Sequence, residues 1–433
     1  MFESATPFAH PWSEDVISNI GSVTVGGTPQ TSVAKYWNGD VPWMASGDVH
    51  LKRISDVPKR ITQLGLRSSN ATLVDPPAVA IGLAGQGKTR GTVALVVCRL
   101  CTNQSVALIA GHALKVVTEY LLYNLEFRYE ELRSRSAGDG RAGLSKQLIE
   151  QIPVSLPPLC EQNKIAEILS TVDRAIEQTE ALIAKQERIK TGLMQDLFTR
   201  GIDEDGNLRS EATHEFKDSP LGRIPKDWND TTFERIFSDC GGQVQTGPFG
   251  SQLHSHEYVN DGVPVVMPQD ISTGGIDTAD IAQVTELKAK SLARHRMLPG
   301  DLIFARRGDL SKCAVIQMEQ KGWLCGTGCL LMRPPVKALS SRWTAEIYRF
   351  HTTQEQVSIH AVGSTMPNLN TGILLALIVP RPTLEEQVRI EERLRGAEKN
   401  DRMNKSVLVK LQSLKAALMQ DLLTGKKRVT PLI

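Results

Sequence analysis

The sequence predicts an α/β (α+β) fold in which two globular modules are each followed by a long helix, the two helices pairing as a coiled coil, as an internal repeat. Three observations predict it. First, a segment opening Glu161-Gln162 and closing Leu193-Met194-Gln195-Asp196-Leu197-Phe198-Thr199 recurs. Its copy opens Glu386-Gln387 and closes Leu418-Met419-Gln420-Asp421-Leu422-Leu423-Thr424, at a constant offset of 225 (386 − 161). Second, both copies carry a heptad-like apolar seam. Third, the stretches ahead of them mix short β-rich runs with loops rich in Gly and Pro.

The seam defines the helices. Ile165, Val172, Thr179 and Leu193 share one seven-residue spacing, with Gln186 as its polar exception; Leu169, Ile176, Ile183 and Leu197 share a second, with Lys190 as its exception. Pro157-Pro158 precedes this helix and Gly201 follows it. About 40 residues at 1.5 Å rise make a rod of about 60 Å. The second copy keeps Ile390, Leu394, Leu408, Leu411, Leu418 and Leu422, while Gly396, Lys399, Asn400 and Asp401 interrupt its middle.

The modules also correspond. Val41-Pro42-Trp43-Met44-Ala45-Ser46-Gly47-Asp48-Val49 aligns with Val263-Pro264-Val265-Val266-Met267-Pro268-Gln269-Asp270-Ile271, now at an offset of 222 (263 − 41). That offset sets Ala80-Ile81 on Leu302-Ile303 and Arg90 on Lys312, and Gly143-Leu144-Ser145 matches Asn368-Leu369-Asn370. Val93 to Val97, Leu302 to Phe304 and Ile373 to Val379 read as β-rich runs. The expected division is a module over 1–150, a long helix over 151–202, a polar linker over 203–222, a second module over 223–378 and a second helix over 379–433.

Bulk properties narrow the classes. The 433 residues carry a net charge of only +2, with 23% charged and 41% hydrophobic residues. That is ordinary for a soluble protein, and it places any nucleic-acid contact on local Lys/Arg patches. Seven scattered cysteines in a long chain argue against a disulfide framework. The N-terminus lacks the pattern of a signal peptide, and no apolar run is long enough to span a membrane, so a cytoplasmic, thiol-reduced protein is expected.

Several motifs compete for attention. Gly82-Leu83-Ala84-Gly85-Gln86-Gly87-Lys88-Thr89 fits a Walker A pattern, and a P-loop nucleotide-binding enzyme using Lys88 and Thr89 is one alternative reading. A phosphate loop needs a helix starting at Lys-Thr, whereas Val93 to Val97 reads as a strand, so a basic hairpin turn is expected. Asp75-Pro76-Pro77-Ala78 has Ala where an amino-methyltransferase needs its stacking aromatic. Glu319-Gln320-Lys321 with Asp301 reads as a solvated loop. Cys98-Arg99-Leu100-Cys101 lacks a second pair, as do His254 and His256, so no metal site is expected. No catalytic group is assigned. A purely structural, protein-binding scaffold is the other alternative.

The chain resembles the specificity subunit of type I restriction–modification enzymes. The resemblance rests on Gly26-Gly27-Thr28-Pro29 with Tyr36-Trp37-Asn38-Gly39-Asp40-Val41-Pro42-Trp43, on Thr246-Gly247-Pro248-Phe249-Gly250-Ser251-Gln252-Leu253, on Pro299 to Gly308, and on the two helix openings at Gln162 and Gln387. It implies two target-recognition domains separated by an antiparallel coiled coil of the two long helices, with pseudo-twofold symmetry, each domain reading one half of a bipartite double-stranded DNA site. The helices would space them and dock two methyltransferase subunits, with motor-nuclease restriction subunits joining for cleavage. It implies a non-catalytic subunit with no cofactor of its own; S-adenosylmethionine, ATP and Mg²⁺ would serve the partner subunits. Candidate DNA contacts are Lys88, Arg90 and Arg141 in the first module, and Ser251, Gln252, Arg306, Arg307 and Lys312 in the second.

Overall fold

The structure, a computed structural model, describes residues 12–85, 87–134, 143–272, 275–361 and 367–433. The chain divides into two compact units, one built from residues up to Leu182 together with Asn404–Ile433 and the other from Ile183–Met403. The boundaries cut both long helices in their middles. Each unit therefore owns one module and half of each helix.

In the first unit a five-stranded sheet runs in the order Gly21–Val25, Val106–Gly111, Ala78–Gly82, Val93–Val96, Arg53–Ile54. Its neighbours are antiparallel, except that Arg53–Ile54 runs parallel to Val93–Val96. The run Ala-Val-Ala-Ile-Gly over Ala78–Gly82 is buried throughout, as a central strand covered on both faces should be. Period-2 alternation sends Val79 and Ile81 toward Tyr120, Leu121 and Leu125 of the helix Thr118–Phe127. Ala78 and Ala80 face Met44, Val49, Ile54 and Val96 instead. A smaller sheet pairs Trp37–Met44 with Arg60–Ile61 and Cys101–Thr102.

The second unit repeats this plan. Leu302–Ala305 is the central strand, with Leu302 and Phe304 packed against Trp343, Ile347 and Tyr348 and with Ile303 and Ala305 against Val266, Met297 and Cys329. Strand faces correct the alignment by one residue. Val79 and Ile81 correspond to Leu302 and Phe304, because both pairs face the helix. The hairpin tips also differ in length. Gly82 N–H donates to Thr92 O at 2.9 Å and Ala305 N–H to Lys312 O at 3.1 Å, so Lys312 matches Thr92 rather than Arg90. Residues 82–92 close the first hairpin and the shorter span 305–312 closes the second.

In each unit the module's opening strand pairs antiparallel with the strand just before a long helix: Ser13–Val16 with Pro153–Leu156, and Asn229–Thr232 with Ile378–Arg381. The apolar run Ile373 to Val379, expected to be β-rich, instead splits into a helix Thr371–Ala376 and the start of that last strand. Asn370 explains the helix, since its Oδ1 accepts from Ile373 N–H at 2.9 Å, as Ser145 Oγ accepts from Leu148 N–H in the first unit. Residues 203–222 also take a defined course. Ile202 bridges Leu208, Arg209 is buried, and Phe216–Ser219 pairs with Gly222–Pro225.

The long helices span Leu159–Thr199 and Leu384–Leu423. Ile165, Leu169, Val172, Ile176, Ile183 and Leu197 are buried and Leu193 is half-buried, following the predicted seam. In the first unit Ile165 and Leu169 share a core with Met419, Leu422 and Leu423, with Leu418 packed against it. In the second, Leu197 and Phe198 share one with Ile390 and Leu394. Leu408 and Leu411 are half-buried. Gly396 to Asp401 does not break the second helix, which is continuous through it.

Candidate nucleic-acid interface and helix pairing

The expected basic hairpin turn lies between Ala78–Gly82 and Val93–Val96, and no helix starts at Lys88-Thr89, so the loop cannot cradle phosphate with helix N-terminal amides. Lys88 is exposed. The turn is held from outside: Tyr129 Oη donates to Lys88 O at 3.1 Å, Arg133 Nη1 donates to Gly87 O at 2.7 Å, and His50 Nε2 lies 3.1 Å from Thr89 Oγ1. Arg90 is half-buried, and Arg141 lies outside the described residues.

In the second module Tyr348 Oη donates to Leu310 O at 2.5 Å, bracing that hairpin in the same manner. Arg307 is exposed and Lys312 half-buried. Arg306 is committed within the fold, since its Nε donates to Leu369 O at 3.0 Å. Gln252 is committed too, its Oε1 accepting from Phe249 N–H at 3.1 Å to hold the turn that carries exposed Ser251. Both loops anchor on the turn Gly326–Cys329, through Gly247 N–H to Cys329 O at 3.0 Å and Arg306 N–H to Gly328 O at 2.9 Å. The loops that lead to Ser251-Gln252 and Arg306-Arg307 therefore start from the same turn.

The Glu-Gln pairs that anchor the repeat in sequence turn out to order the helices through buried polar contacts. Gln162 is almost fully buried. Its Oε1 accepts from Val117 N–H at 2.8 Å, and its Nε2 donates to Lys115 O at 3.2 Å and Pro157 O at 2.9 Å. Gln387 repeats the pattern with Ser340 N–H at 2.9 Å, Ala338 O at 3.0 Å and Pro382 O at 3.1 Å. Each glutamine therefore caps the N-terminus of its module's helix, Thr118–Phe127 or Ser341–Arg349.

The neighbouring glutamates hold buried ion pairs. Glu161 accepts from Arg428 Nε at 2.8 Å, and Arg428 lies 5.7 Å from the ring centroid of Trp12. Glu386 binds Arg209 through both carboxylate oxygens, with Arg209 Nη2 to Oε2 at 3.1 Å, and also accepts from Trp228 Nε1 at 3.0 Å. Burial disfavours the Arg209 charge, but Glu386 outweighs it and raises the guanidinium pKa above its ordinary value.

Lys190, the exception in the seam, bonds Glu398 at 3.1 Å, and Arg342 also reaches Glu398. In the first unit Lys415 Nζ lies 2.8 Å from both Asp173 Oδ1 and Glu126 Oε1. Burial pushes the Glu398 carboxyl up, yet Lys190 and Arg342 together hold it below its usual range. Cys325 and Cys329 are buried thiols whose pKa burial raises, and no group of His, Cys, Asp or Glu among the described residues is placed to hold a metal ion. Among those residues, no helix is long and apolar enough to cross a membrane.

This duplicated arrangement, with two sandwiched modules each tied by a Glu-Gln pair to the start of a long helix, matches the type I restriction modification DNA specificity domain over residues 10–188 and 260–412. The chain belongs to that family. It is 25% identical over 430 residues to the type I restriction enzyme MjaIX specificity subunit of Methanocaldococcus jannaschii, covering 97% of this chain and 94% of that relative. The MjaVIII specificity subunit of the same organism is 25% identical over 72% of this chain and 70% of its own length. Among solved structures, the type I restriction-modification S subunit from M. genitalium aligns with a TM-score of 0.60 at 15% identity, covering 97% of this chain and 98% of that one. A structure reported for complex assembly and conformational transition of the type I R-M system aligns at 0.57 and 16% identity, covering 96% and 99%. These likenesses show the fold.

Proposed function

We propose that this specificity subunit reads a bipartite double-stranded DNA target, one half with each module, and that its paired helices space the modules and dock two methyltransferase subunits. Motor-nuclease restriction subunits join that assembly for cleavage. The chain itself binds and positions; the partners supply the chemistry, with S-adenosylmethionine for adenine methylation and ATP with Mg²⁺ for restriction. The observation that carries the reading is a repeated frame with unrepeated surfaces. Gln162 and Gln387 make the same three hydrogen bonds, while the hairpin tips differ in length and residues. An asymmetric two-part site needs that combination: one docking geometry and two sequence preferences.

The test is a module exchange. Residues 12–150 are replaced by the corresponding module of another specificity subunit, and methylated adenines are mapped across the genome of cells carrying the chain with its methyltransferase subunits. One half-site should change while the other half and the gap stay fixed. An unchanged target would overturn the reading.

A further inference from the structure

We propose that the segment His50–Arg53, with Lys88 on the adjacent hairpin tip, is the DNA-contacting element that sets the half-site preference of the first module; this rests on the DNA-reading function above. The segment follows a turn built identically in both modules. Asp48 Oδ2 accepts from Ala45 N–H at 2.8 Å, and Asp270 Oδ2 accepts from Met267 N–H at 2.7 Å, at an offset of 222 (270 − 48). Immediately beyond the shared aspartate turn the sequences part. The first module has His50-Leu51-Lys52-Arg53 and the second has Ser272-Thr273-Gly274-Gly275. Backbone pairing parts as well: Arg53–Ile54 joins the main sheet beside Val93–Val96, whereas Gly275–Ile276 folds back on Ile271–Ser272.

The four residues are exposed, Leu51 at 57%. Among the described residues, Lys52, Arg53 and Lys88 have no ion-pair partner, although Asp and Glu are nearly as numerous as Lys and Arg in this chain. His50 joins the segment to the hairpin tip through Thr89. Lys52 is held at φ 59 and ψ −47, where a β-carbon is strained, and its carbonyl is fixed by Leu95 N–H at 2.7 Å. Lys52 also borders a cleft that contains Glu126, Asp173 and Glu180, but Glu126 and Asp173 are already engaged by Lys415. Unpaired cations on a rigid turn suit phosphate oxygens. His50 and Arg53 can also donate to base edges, and an apolar Leu51 between them suits a thymine methyl group.

The experiment uses the full chain with its methyltransferase subunits and reads adenine methylation across the genome of the expressing cells. Two variants are compared, H50S/L51T/K52G/R53G and K52G/R53S. The second keeps the fold testable, because glycine removes the strain at 52 and residue 53 is exposed. The expected result is a loss of about tenfold or more in methylation of the parental motif, the scale of two lost phosphate contacts, with the sequence preference changed in one half-site only. Parental motif and extent in both variants would overturn the proposal. The exchange of residues 12–150 separates the two levels: if it changes a half-site while these variants do not, only this inference falls, and if it changes neither half-site, the DNA-reading function falls with it.

Discussion

Lys190 Nζ lies 3.1 Å from Glu398 Oε1, and the offset of 225 that relates the two halves of the chain carries these residues onto Lys415 and Asp173, which are themselves paired at 2.8 Å. The pair in each unit is therefore the image of the other with the two helices exchanged. A polar contact in an apolar seam selects register, because any shift by a turn leaves a half-buried charge alone. Lys190→Met is expected to cost about 1–3 kcal/mol in urea unfolding, with part of the loss recovered in the double variant K190M/E398L. A loss in the double variant equal to the sum of the K190M and E398L losses would show no coupling between the two positions.

The same pair makes a pH prediction. The Glu398 carboxyl is held below its ordinary value of 4.5, so its contribution to stability is full above about pH 4.5 and is lost as pH falls through the lower folded value. Glu398→Gln is expected to be less stable than the parent near neutrality and to lose less stability on acidification to about pH 3. Unfolding midpoints across that range measure the difference between the two curves.

Arg209→Met is expected to be among the most damaging single changes outside the apolar cores. It leaves Glu386, with its side chain 2% exposed, facing only Trp228 Nε1 and the Ile202 amide. Breaking one side of a buried ion pair costs about 3–5 kcal/mol. Thermal unfolding of the full chain would register it; a melting temperature within a degree or so of the parent would contradict the buried pair.

Gln387→Ala removes an acceptor for Ser340 N–H and a donor to two buried carbonyls. A loss of about 2–3 kcal/mol is expected, since each buried polar group left without a partner costs about 1–3 kcal/mol. Hydrogen exchange provides the specific readout: the first amides of Ser341–Arg349 should lose protection before the rest of the module.

Lys88→Ala is expected to weaken DNA binding evenly across sequences and to reduce the slope of log affinity against log salt by about 1, as for one lost phosphate contact. Gln252→Ala should act differently, loosening the turn at Phe249 without a change in salt slope. Binding titrations over a range of salt concentrations, with the methyltransferase subunits present, separate the two behaviours.

The sequence made the scaffold readable because apolar periodicity reports burial directly. Ile165, Leu169, Val172, Ile176, Ile183 and Leu197 of the seam are buried as its spacing required, and Lys190, one of its two polar exceptions, carries the ion pair. The Walker-like loop was resolved by what followed it, since a strand beginning at Val93 excludes a phosphate-binding helix. Other features depend on three-dimensional partners that no local pattern encodes. Arg209 reads as part of a polar connector until Glu386 is seen beside it. Arg306 reads as a surface contact, but it is bound to the Leu369 carbonyl, which only the fold brings near. The alignment slipped by one residue at Leu302 because the second module has one residue more between the aspartate turn and this strand, a difference that the strand faces reveal.

The division of each long helix between two units has a consequence for synthesis. The core of the second unit draws only on residues 183–403, so every group it needs has been translated before Asn404. The first unit must wait, because Ile165 and Leu169 are covered by Met419, Leu422, Leu423 and Val429, and Glu161 has no cation until Arg428 is made. On the ribosome the module made first is thus completed last, and during elongation its share of the seam stays open to chaperones and to other nascent chains.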